Sequence, residues 1–196
     1  MNYVYGGSFN PPTLAHQKII LKLKEIDPLS HVILLPVGDD YRKTYLAPFK
    51  HRYQMLKLLT KNMTNVSIST LEKEHKYQGT LKSLNDLNES YKDLCFVMGS
   101  DQIKNLKSWI NVETLLASYP FVILQRDKNL DIKTIENEFM VYKHQFIWIP
   151  FDEDISSTQA RLNKEIRKNI LSKDIIQYMN KHHLYEETSL CINTDL

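Results

Sequence analysis

The sequence predicts an α/β protein built on a doubly wound (Rossmann-like), mostly parallel sheet with helices on both faces. Strand-like and helix-like segments alternate along the 196 residues. Most strand segments are uninterrupted apolar runs, such as VILLPV at 32–37, which is typical of parallel strands buried on both faces. About six such strands fit an open sheet, whereas a closed eightfold barrel usually needs about 250 residues.

Apolar spacing and helix-ending residues define the predicted elements. Ile19, Leu23 and Ile26 recur at helical spacing and Pro28 follows, so the spacing predicts a helix over 14–26. The other predicted helices cover 48–59, 80–94, one or two short segments within 103–116, 132–141, 157–170 and 173–181, with a small helical segment closing the chain. The predicted strands are 3–5, 32–37, 66–71, 94–98, 121–124 and 146–149, and the alternating pattern of 66–71 places it nearer the sheet edge.

Composition excludes several classes of protein. The formal net charge is +2, with 42% apolar and 24% charged residues, so neither a nucleic-acid nor a membrane partner is indicated. Cys95 and Cys191 lie far apart, which suits neither a metal site nor a disulfide framework. No signal peptide and no long apolar span is found, so we expect a cytoplasmic protein.

The chain shows no repeat and no linker long enough to divide it. We therefore expect a single domain over 1–186 and a flexible tail over 187–196.

The candidate site residues follow the predicted strands. Ligands of open parallel sheets bind beyond the carboxyl ends of the strands. The residues found there are Gly6, Gly7, Ser8, Phe9, Asn10, Thr13 and His16 after the first strand, Lys43 after the second, Gly99 and Asp101 after the fourth, Arg126 after the fifth, and Ser157, Thr158 and Arg161 after the last. Hydroxyls, helix N-termini and basic side chains suit the binding of phosphate groups. Neither the P-loop motif GxxxxGK[ST] nor the dinucleotide-binding motif GxGxxG is present, so neither a P-loop enzyme nor an ordinary dinucleotide dehydrogenase is indicated.

Two of these stretches carry a resemblance to a known superfamily. GGSFNPPTLAH (6–16) resembles the [HT]xGH signature of nucleotidylyltransferases, and SSTQAR (156–161) resembles their second signature, [ST]STxxR. The FNPP turn, the GSD followed by Trp109, EKEHKYQGTL (72–81) and YMNKHHLY (178–185) are similar to bacterial nicotinate-nucleotide adenylyltransferases. The resemblance covers about residues 1–186.

The resemblance implies an adenylyltransferase of NAD biosynthesis, which joins ATP and nicotinic acid mononucleotide to give nicotinic acid adenine dinucleotide and pyrophosphate. It implies Mg²⁺ bound through the ATP phosphates, with no cage of protein ligands. It assigns catalysis to His16, Thr13 and Arg161; ATP binding to Gly7, Ser8, Phe9, Asn10, Thr13, His16, Gly99, Asp101, Ser157, Thr158 and Arg161; and acceptor binding to Lys43, Thr80, Trp109 and Arg126. A homo-oligomer is compatible with the family.

Adenylyl transfer to a phosphate monoester needs no side chain that activates the nucleophile. A phosphate monoester has its second pKa near 6 and is largely ionised at pH 7, so the site must supply alignment and charge stabilisation. The protonation state in which His16 acts is left open by the sequence.

The sequence departs from the family pattern at three places. Ala15 replaces the glycine of [HT]xGH, Asp127–Lys128 replaces a usual proline and glycine, and GDDYRK (38–43) replaces a proline-rich loop. Two alternatives therefore stay open: an adenylyltransferase for another phosphate acceptor, such as nicotinamide mononucleotide or pantetheine phosphate, and a nucleotide-binding sensor without catalysis.

Overall fold

Six strands, all parallel, form one sheet in the computed structural model, which describes residues 1–41, 45–74, 76–153 and 155–186. The strands are β1 (Asn2–Gly7), β2 (His31–Pro36), β3 (Val66–Ile68), β4 (Leu94–Gly99), β5 (Phe121–Gln125) and β6 (Phe146–Pro150). They lie in the order β3-β2-β1-β4-β5-β6. The predicted fold class is confirmed, and the short alternating strand β3 is at the edge, as its pattern indicated.

Helices fill the connections between the strands. They are α1 (Leu14–Ile26), α2 (Phe49–Thr60), α3 (Leu71–Glu74), α4 (Thr80–Leu87), α5 (Ile103–Leu106), α6 (Val112–Ser118), α7 (Ile132–Phe139), α8 (Ser157–Leu162), α9 (Arg167–Ile170) and α10 (Lys173–Lys181), with a 3₁₀ turn at Ser100–Gln102. No helix in these described ranges is long and apolar enough to cross a membrane.

Two predicted helices are shorter by several residues in the structure, and the reasons are local; the helix predicted over 132–141 ends only two residues early, at Phe139. Asn163 has an extended backbone, and its side-chain Oδ1 accepts the N–H of Glu165, so the helix predicted over 157–170 divides into α8 and α9. α4 ends at Leu87 because a turn leads to Asp93, whose φ is +52°. Polar side chains that hydrogen-bond to the nearby backbone compete with helical hydrogen bonds. The spacing of apolar residues, from which the helices were predicted, does not reveal such side chains.

Each face of the sheet has its own core. Val4, Ile33 and Phe96 point to the side covered by α4 to α7, whereas Tyr5 and Leu34 pack on the other side against α1. A third cluster joins α2 to α8, α9 and α10 through Met55, Leu59, Ala160, Ile170, Leu171, Ile175 and Met179. This third cluster holds the C-terminal helices beside the carboxyl ends of the strands.

The strand order determines where a ligand fits. The chain moves outward from β1 to β3 in one direction and from β4 to β6 in the other, so connections diverge between β1 and β4. In doubly wound sheets the crevice at such a switch point is the binding site. The tail predicted over 187–196 lies outside the described residues, and the division into a domain and a tail stays a prediction.

Candidate active site

A cleft of about 510 Å³ opens at the carboxyl edge of the sheet, over the switch point. Its walls come from the ends of β1, β2, β4 and β5 and from the start of α8. The lining residues are Tyr5, Gly6, Gly7, Ser8, His16, Leu35, Val37, Tyr41, Glu72, Tyr77, Thr80, Phe96, Met98, Gly99, Asp101, Gln102, Ser108, Trp109, Ile110, Arg126, Ile155, Ser156, Ser157, Thr158 and Arg161.

The turn after β1 brings backbone to the cleft and turns its one large apolar side chain inward. Gly7 and Ser8 line the cleft, and Phe9 has a positive φ of 47°. The Phe9 ring is 1% exposed and packs between Tyr5 and His16, with ring centroids 5.4 and 5.1 Å away. The turn therefore presents its backbone, with Phe9 as a buried support for the His16 ring.

His16 lies in the first turn of α1 with its ring oriented by Thr13. The Thr13 backbone N–H donates to His16 Nδ1 at 2.9 Å, and the Thr13 hydroxyl lies 2.8 Å from the same nitrogen. Because Nδ1 accepts a hydrogen bond, the neutral ring carries its proton on Nε2. Burial, together with the positive charge of Arg126, lowers the pKa of His16 to about 3. His16 is therefore a neutral donor at pH 7.

Asn10 connects three segments of the chain. Its Nδ2 donates to the Tyr45 carbonyl at 2.7 Å, and its Oδ1 accepts the Ala47 N–H at 3.0 Å and the Tyr185 hydroxyl at 2.6 Å. Asn10 is 1% exposed and does not line the cleft. Asn10, which was expected to bind ATP, is thus a structural junction whose side chain does not line the cleft.

The second signature is tied directly to the first. Arg161 Nη1 donates to the Asn10 carbonyl at 2.6 Å, and Ser157 Oγ donates to the Pro11 carbonyl at 2.8 Å. Arg161 Nη2 also donates to Thr158 Oγ1 at 3.0 Å. These bonds hold α8 against the turn after β1, so both signatures face one cleft.

Arg52 supports the same turn from below. Its side chain is fully buried, and its Nε and Nη1 donate to the Ala47 and Ser8 carbonyls at 2.7 and 3.2 Å. Its Nη2 donates to Asp39 Oδ1 at 3.2 Å. An arginine on the apolar face of a helix, three residues after Phe49, is the sequence signal that marks this role.

Beyond β4 and β5, the side chains of Asp101 and Arg126 both lie close to Gly99. A Cβ on Gly99 would lie 2.3 Å from Asp101 Oδ1 and 3.6 Å from Arg126 Nε, so no larger residue fits without movement. Arg126 Nε is buried and has no hydrogen-bond partner within the described part of the chain. A buried guanidinium N–H without a partner is costly. Arg126 is thus suited to receive an anion.

The far end of the cleft is aromatic. Trp109 is half-buried, with its ring perpendicular to that of Phe96 at 6.0 Å. Thr80 opens α4 and is 7% exposed, with its Oγ1 3.3 Å from the Tyr77 hydroxyl. Glu72 lines the same end, 6% exposed, and its Oε1 accepts the Ser83 hydroxyl at 2.8 Å.

Most of the side chains expected at the site meet on this cleft. They are Gly7, Ser8, His16, Thr80, Gly99, Asp101, Trp109, Arg126, Ser157, Thr158 and Arg161. Phe9, Asn10 and Thr13 are buried beneath it and act on their neighbours. Lys43 lies outside the described residues. Glu72 and Tyr185 were not among the expected site residues, although both lie in stretches that carry the resemblance, EKEHKYQGTL (72–81) and YMNKHHLY (178–185).

The substitution of Ala15 for glycine does not narrow the cleft. Ala15 is 1% exposed on α1 and is absent from the residues that line the cleft. Its methyl group therefore lies within the protein interior, away from the space a nucleotide would occupy.

This fold and this pair of anion-binding elements define a nucleotidyltransferase, and comparison with known proteins agrees. The chain belongs to the Cytidylyltransferase-like family, whose model matches residues 4–163. A 36% identical relative in Acholeplasma laidlawii, covering 97% of this chain and 100% of its own length, is named "Probable nicotinate-nucleotide adenylyltransferase". A Fusobacterium nucleatum protein with the same name is 32% identical, covering 92% of this chain and 97% of its own length. The resemblance predicted from the two signatures is confirmed.

Solved structures share the fold. A Plasmodium falciparum nicotinic acid mononucleotide adenylyltransferase complexed with NaAD superposes with a TM-score of 0.79 at 24% identity, covering 94% of this chain and 96% of that one. The same enzyme complexed with APC gives a TM-score of 0.76.

The Asn10 junction leads to a stability prediction. In Asn10→Asp, a carboxylate oxygen would face the Tyr45 carbonyl in place of a donor, so we expect unfolding to become easier by about 2–4 kcal/mol. Urea unfolding followed by circular dichroism measures this change. Asn129→Asp, at an exposed loop position, is the matched control and should change stability by less than about 0.5 kcal/mol. Equal effects of the two variants would contradict the junction.

The lowered pKa of His16 leads to a pH prediction. The unfolded chain binds a proton at His16 near the ordinary pKa of 6.5, whereas the folded chain does so only near 3. The stabilisation is present above pH 6.5 and is lost as pH falls towards 3. Between pH 7.5 and pH 5 the wild type should lose about 2 kcal/mol more than His16→Asn in urea unfolding. The exposed-site control His183→Asn should follow the wild type, and an identical pH dependence in His16→Asn would refute the assignment.

Proposed function

We propose that this chain transfers the adenylyl group of ATP to nicotinic acid mononucleotide, forming nicotinic acid adenine dinucleotide and releasing pyrophosphate. The observation that carries the proposal is the pair of hydrogen bonds from Arg161 and Ser157 to the backbone of the turn after β1. They hold two phosphate-binding elements on one cleft, whose far end is lined by Trp109 and Thr80. The relatives' names supply the substrates.

The triphosphate would lie between the two signatures. Gly7 and Ser8 would approach it from the turn after β1, while Ser157, Thr158 and Arg161 would hold its terminal phosphates from the other side. In an in-line displacement, the acceptor phosphate oxygen attacks the α-phosphorus as the bond to pyrophosphate breaks. The acceptor monoester is already ionised near neutral pH, so positioning and charge stabilisation supply the catalysis.

His16 would act as a neutral hydrogen-bond donor. With Nδ1 engaged by Thr13, its Nε2–H is the group left to meet an oxygen of the α-phosphate. Thr13 would contribute by fixing this tautomer. A fixed donor aimed at developing charge needs no reorganisation during the reaction.

Asp101 and Arg126 would serve the remaining parts of the substrates. Asp101, exposed beside Gly99, would accept hydrogen bonds from the ATP ribose hydroxyls. The buried Nε of Arg126, which has no hydrogen-bond partner among the described residues, would meet a phosphate oxygen. Trp109 would stack on the pyridine ring, with Thr80 beside it, and Lys43 remains a candidate for the mononucleotide phosphate.

The proposed reaction includes Mg²⁺ bound through the phosphates of ATP. Within the described ranges no three His, Cys, Asp or Glu side chains are grouped to hold a metal ion. Among the described residues that line the cleft, Asp101 is an exposed carboxylate and Glu72 is buried, and the other polar side chains include basic and hydroxyl groups. This donor set fits an ion held by phosphate oxygens and water. When bound, the ion would neutralise part of the triphosphate charge. A cytoplasmic location, where ATP is abundant, and a homo-oligomeric state compatible with the family complete the proposal.

An acceptor panel tests the substrate. Purified protein with ATP and Mg²⁺ is given nicotinic acid mononucleotide, nicotinamide mononucleotide or pantetheine phosphate, and pyrophosphate release is measured. We expect the highest kcat/KM with nicotinic acid mononucleotide. Higher turnover of another acceptor would change the substrate and keep the reaction, whereas ATP binding without pyrophosphate release from any acceptor would favour the nucleotide sensor.

Replacement of His16 tests the mechanism. We expect His16→Ala to lower kcat/KM by a factor that corresponds to about 2–4 kcal/mol, the usual loss for one donor to developing charge. His183→Ala removes an exposed histidine that bonds Glu186, and it should retain wild-type turnover. Unchanged turnover in His16→Ala would exclude His16 from the chemical step.

A further inference from the structure

Glu72 is a buried acid at the acceptor end of the cleft with one oxygen unaccounted for. Its Oε1 accepts the Ser83 hydroxyl, while its Oε2 is buried and has no partner within the ranges the structure describes. The backbone at Glu72 is fixed as well, because its carbonyl oxygen lies 2.1 Å from where a Cβ on Gly38 would be. The Ser83 hydrogen bond holds the carboxyl group, and Glu72 lines the cleft together with Tyr77 and Thr80 at the acceptor end.

We propose that Glu72 is a specificity-determining residue that, in its protonated form, lets the cleft accept a pyridine mononucleotide with a carboxylate. This inference rests on the proposed function and extends it to the choice between two acceptors. A protonated carboxyl can donate to a carboxylate, whereas an ionised one repels it. A carboxamide has both a donor and an acceptor and can meet either form.

The surroundings of Glu72 favour the protonated form. Burial raises the pKa of Glu72 to about 7, with the charge of Asp40 acting in the same direction. The Ser83 hydrogen bond and the positive charge of Arg52 oppose this rise and are outweighed. Asp40 on the loop after β2, Arg52 on α2 and Tyr77 before α4 interact electrostatically with Glu72. The other charged side chains that line the neighbouring cavity with Glu72 are Lys76, Lys82, Asp86 and Glu89.

A simpler role for Glu72, as an ion-pair partner in the neighbouring cavity, has less support. That cavity of about 350 Å³ shares Glu72 with the cleft and is lined by Lys82. Lys82, however, pairs with Asp86 on its own helix. In the described part of the chain no cation within 4.0 Å neutralises the Glu72 carboxyl, which leaves protonation as the way to avoid a buried, unpaired charge.

The test compares two acceptors that differ only in the group facing Glu72. The ratio of kcat/KM for nicotinic acid mononucleotide to that for nicotinamide mononucleotide is measured at pH 6 and pH 8. The acceptor phosphate, ATP and His16 are common to both reactions, so their titrations cancel in the ratio. A group that titrates near pH 7 is protonated in roughly nine of ten molecules at pH 6 and one of ten at pH 8, so we expect the wild-type ratio to fall about tenfold.

Two variants give the comparison its control. In Glu72→Gln the ratio should change less than about twofold over the same pH range, because the amide does not titrate. Glu74→Gln alters an exposed acid two residues away, bonded to Thr70, and should retain the wild-type fall. A wild-type ratio that is constant with pH overturns the inference without any variant, and so does a fall retained by a folded Glu72→Gln.

Binding separates this inference from the proposed reaction. Calorimetry at both pH values gives the affinity of each mononucleotide independently of turnover. Nicotinate affinity that falls about tenfold from pH 6 to pH 8 in the wild type alone, without turnover, would support Glu72 and overturn the reaction. Turnover with a ratio constant with pH would overturn Glu72 alone, and no binding of either mononucleotide would overturn both.

Discussion

The hydrogen bonds of Asn10 are the constraint on which the cleft depends. Its carboxamide joins the turn after β1 to the loop before α2 and to Tyr185, and its carbonyl receives Arg161. Phe9 packs beneath the turn against Tyr5 and His16, but an apolar ring cannot satisfy the polar backbone groups of the turn. The support comes from segments distant in sequence, and a buried amide with both ends satisfied is a rigid way to connect them.

The electrostatics of the cleft depend on burial more than on ion pairs. Desolvation lowers the pKa of His16 and raises that of Glu72, and both shifts favour the neutral form of the group. The arginines of the cleft carry the positive charge that attracts anions. Arg126, whose buried Nε has no hydrogen-bond partner in the described part of the chain, adds positive charge to the same cleft. Neutral donors orient a nucleotide without adding to the repulsion among its phosphates, while the arginines supply the attraction.

Sequence patterns predicted the fold and most of the residues that line the cleft. Apolar runs, helical spacing and strand ends can each be recognised from a few neighbouring residues. Apolar runs and spacing gave the six strands, and the rule that ligands bind at strand ends located His16, Asp101, Arg126 and Arg161 together. Asn10 and Thr13 were expected to bind ATP, and the structure places both side chains in the interior. A motif does not distinguish a residue that contacts the ligand from one that supports the contact. Glu72 and Tyr185 lie in two stretches that resemble the family, but the resemblance did not assign them a role, since their contacts are set by packing between distant segments.

The contact between Tyr185 and Asn10 spans 175 residues and has a consequence for synthesis of the chain. Asn10 leaves the ribosome 175 residues before its partner Tyr185. A nascent chain can assemble most of the sheet before this bond is possible, and the complete cleft forms only when the C-terminal helices dock. A truncated product would thus keep much of the core but lack the ordered site formed by the turn after β1 and the start of α8. Folding of the sheet would then precede the onset of ATP binding.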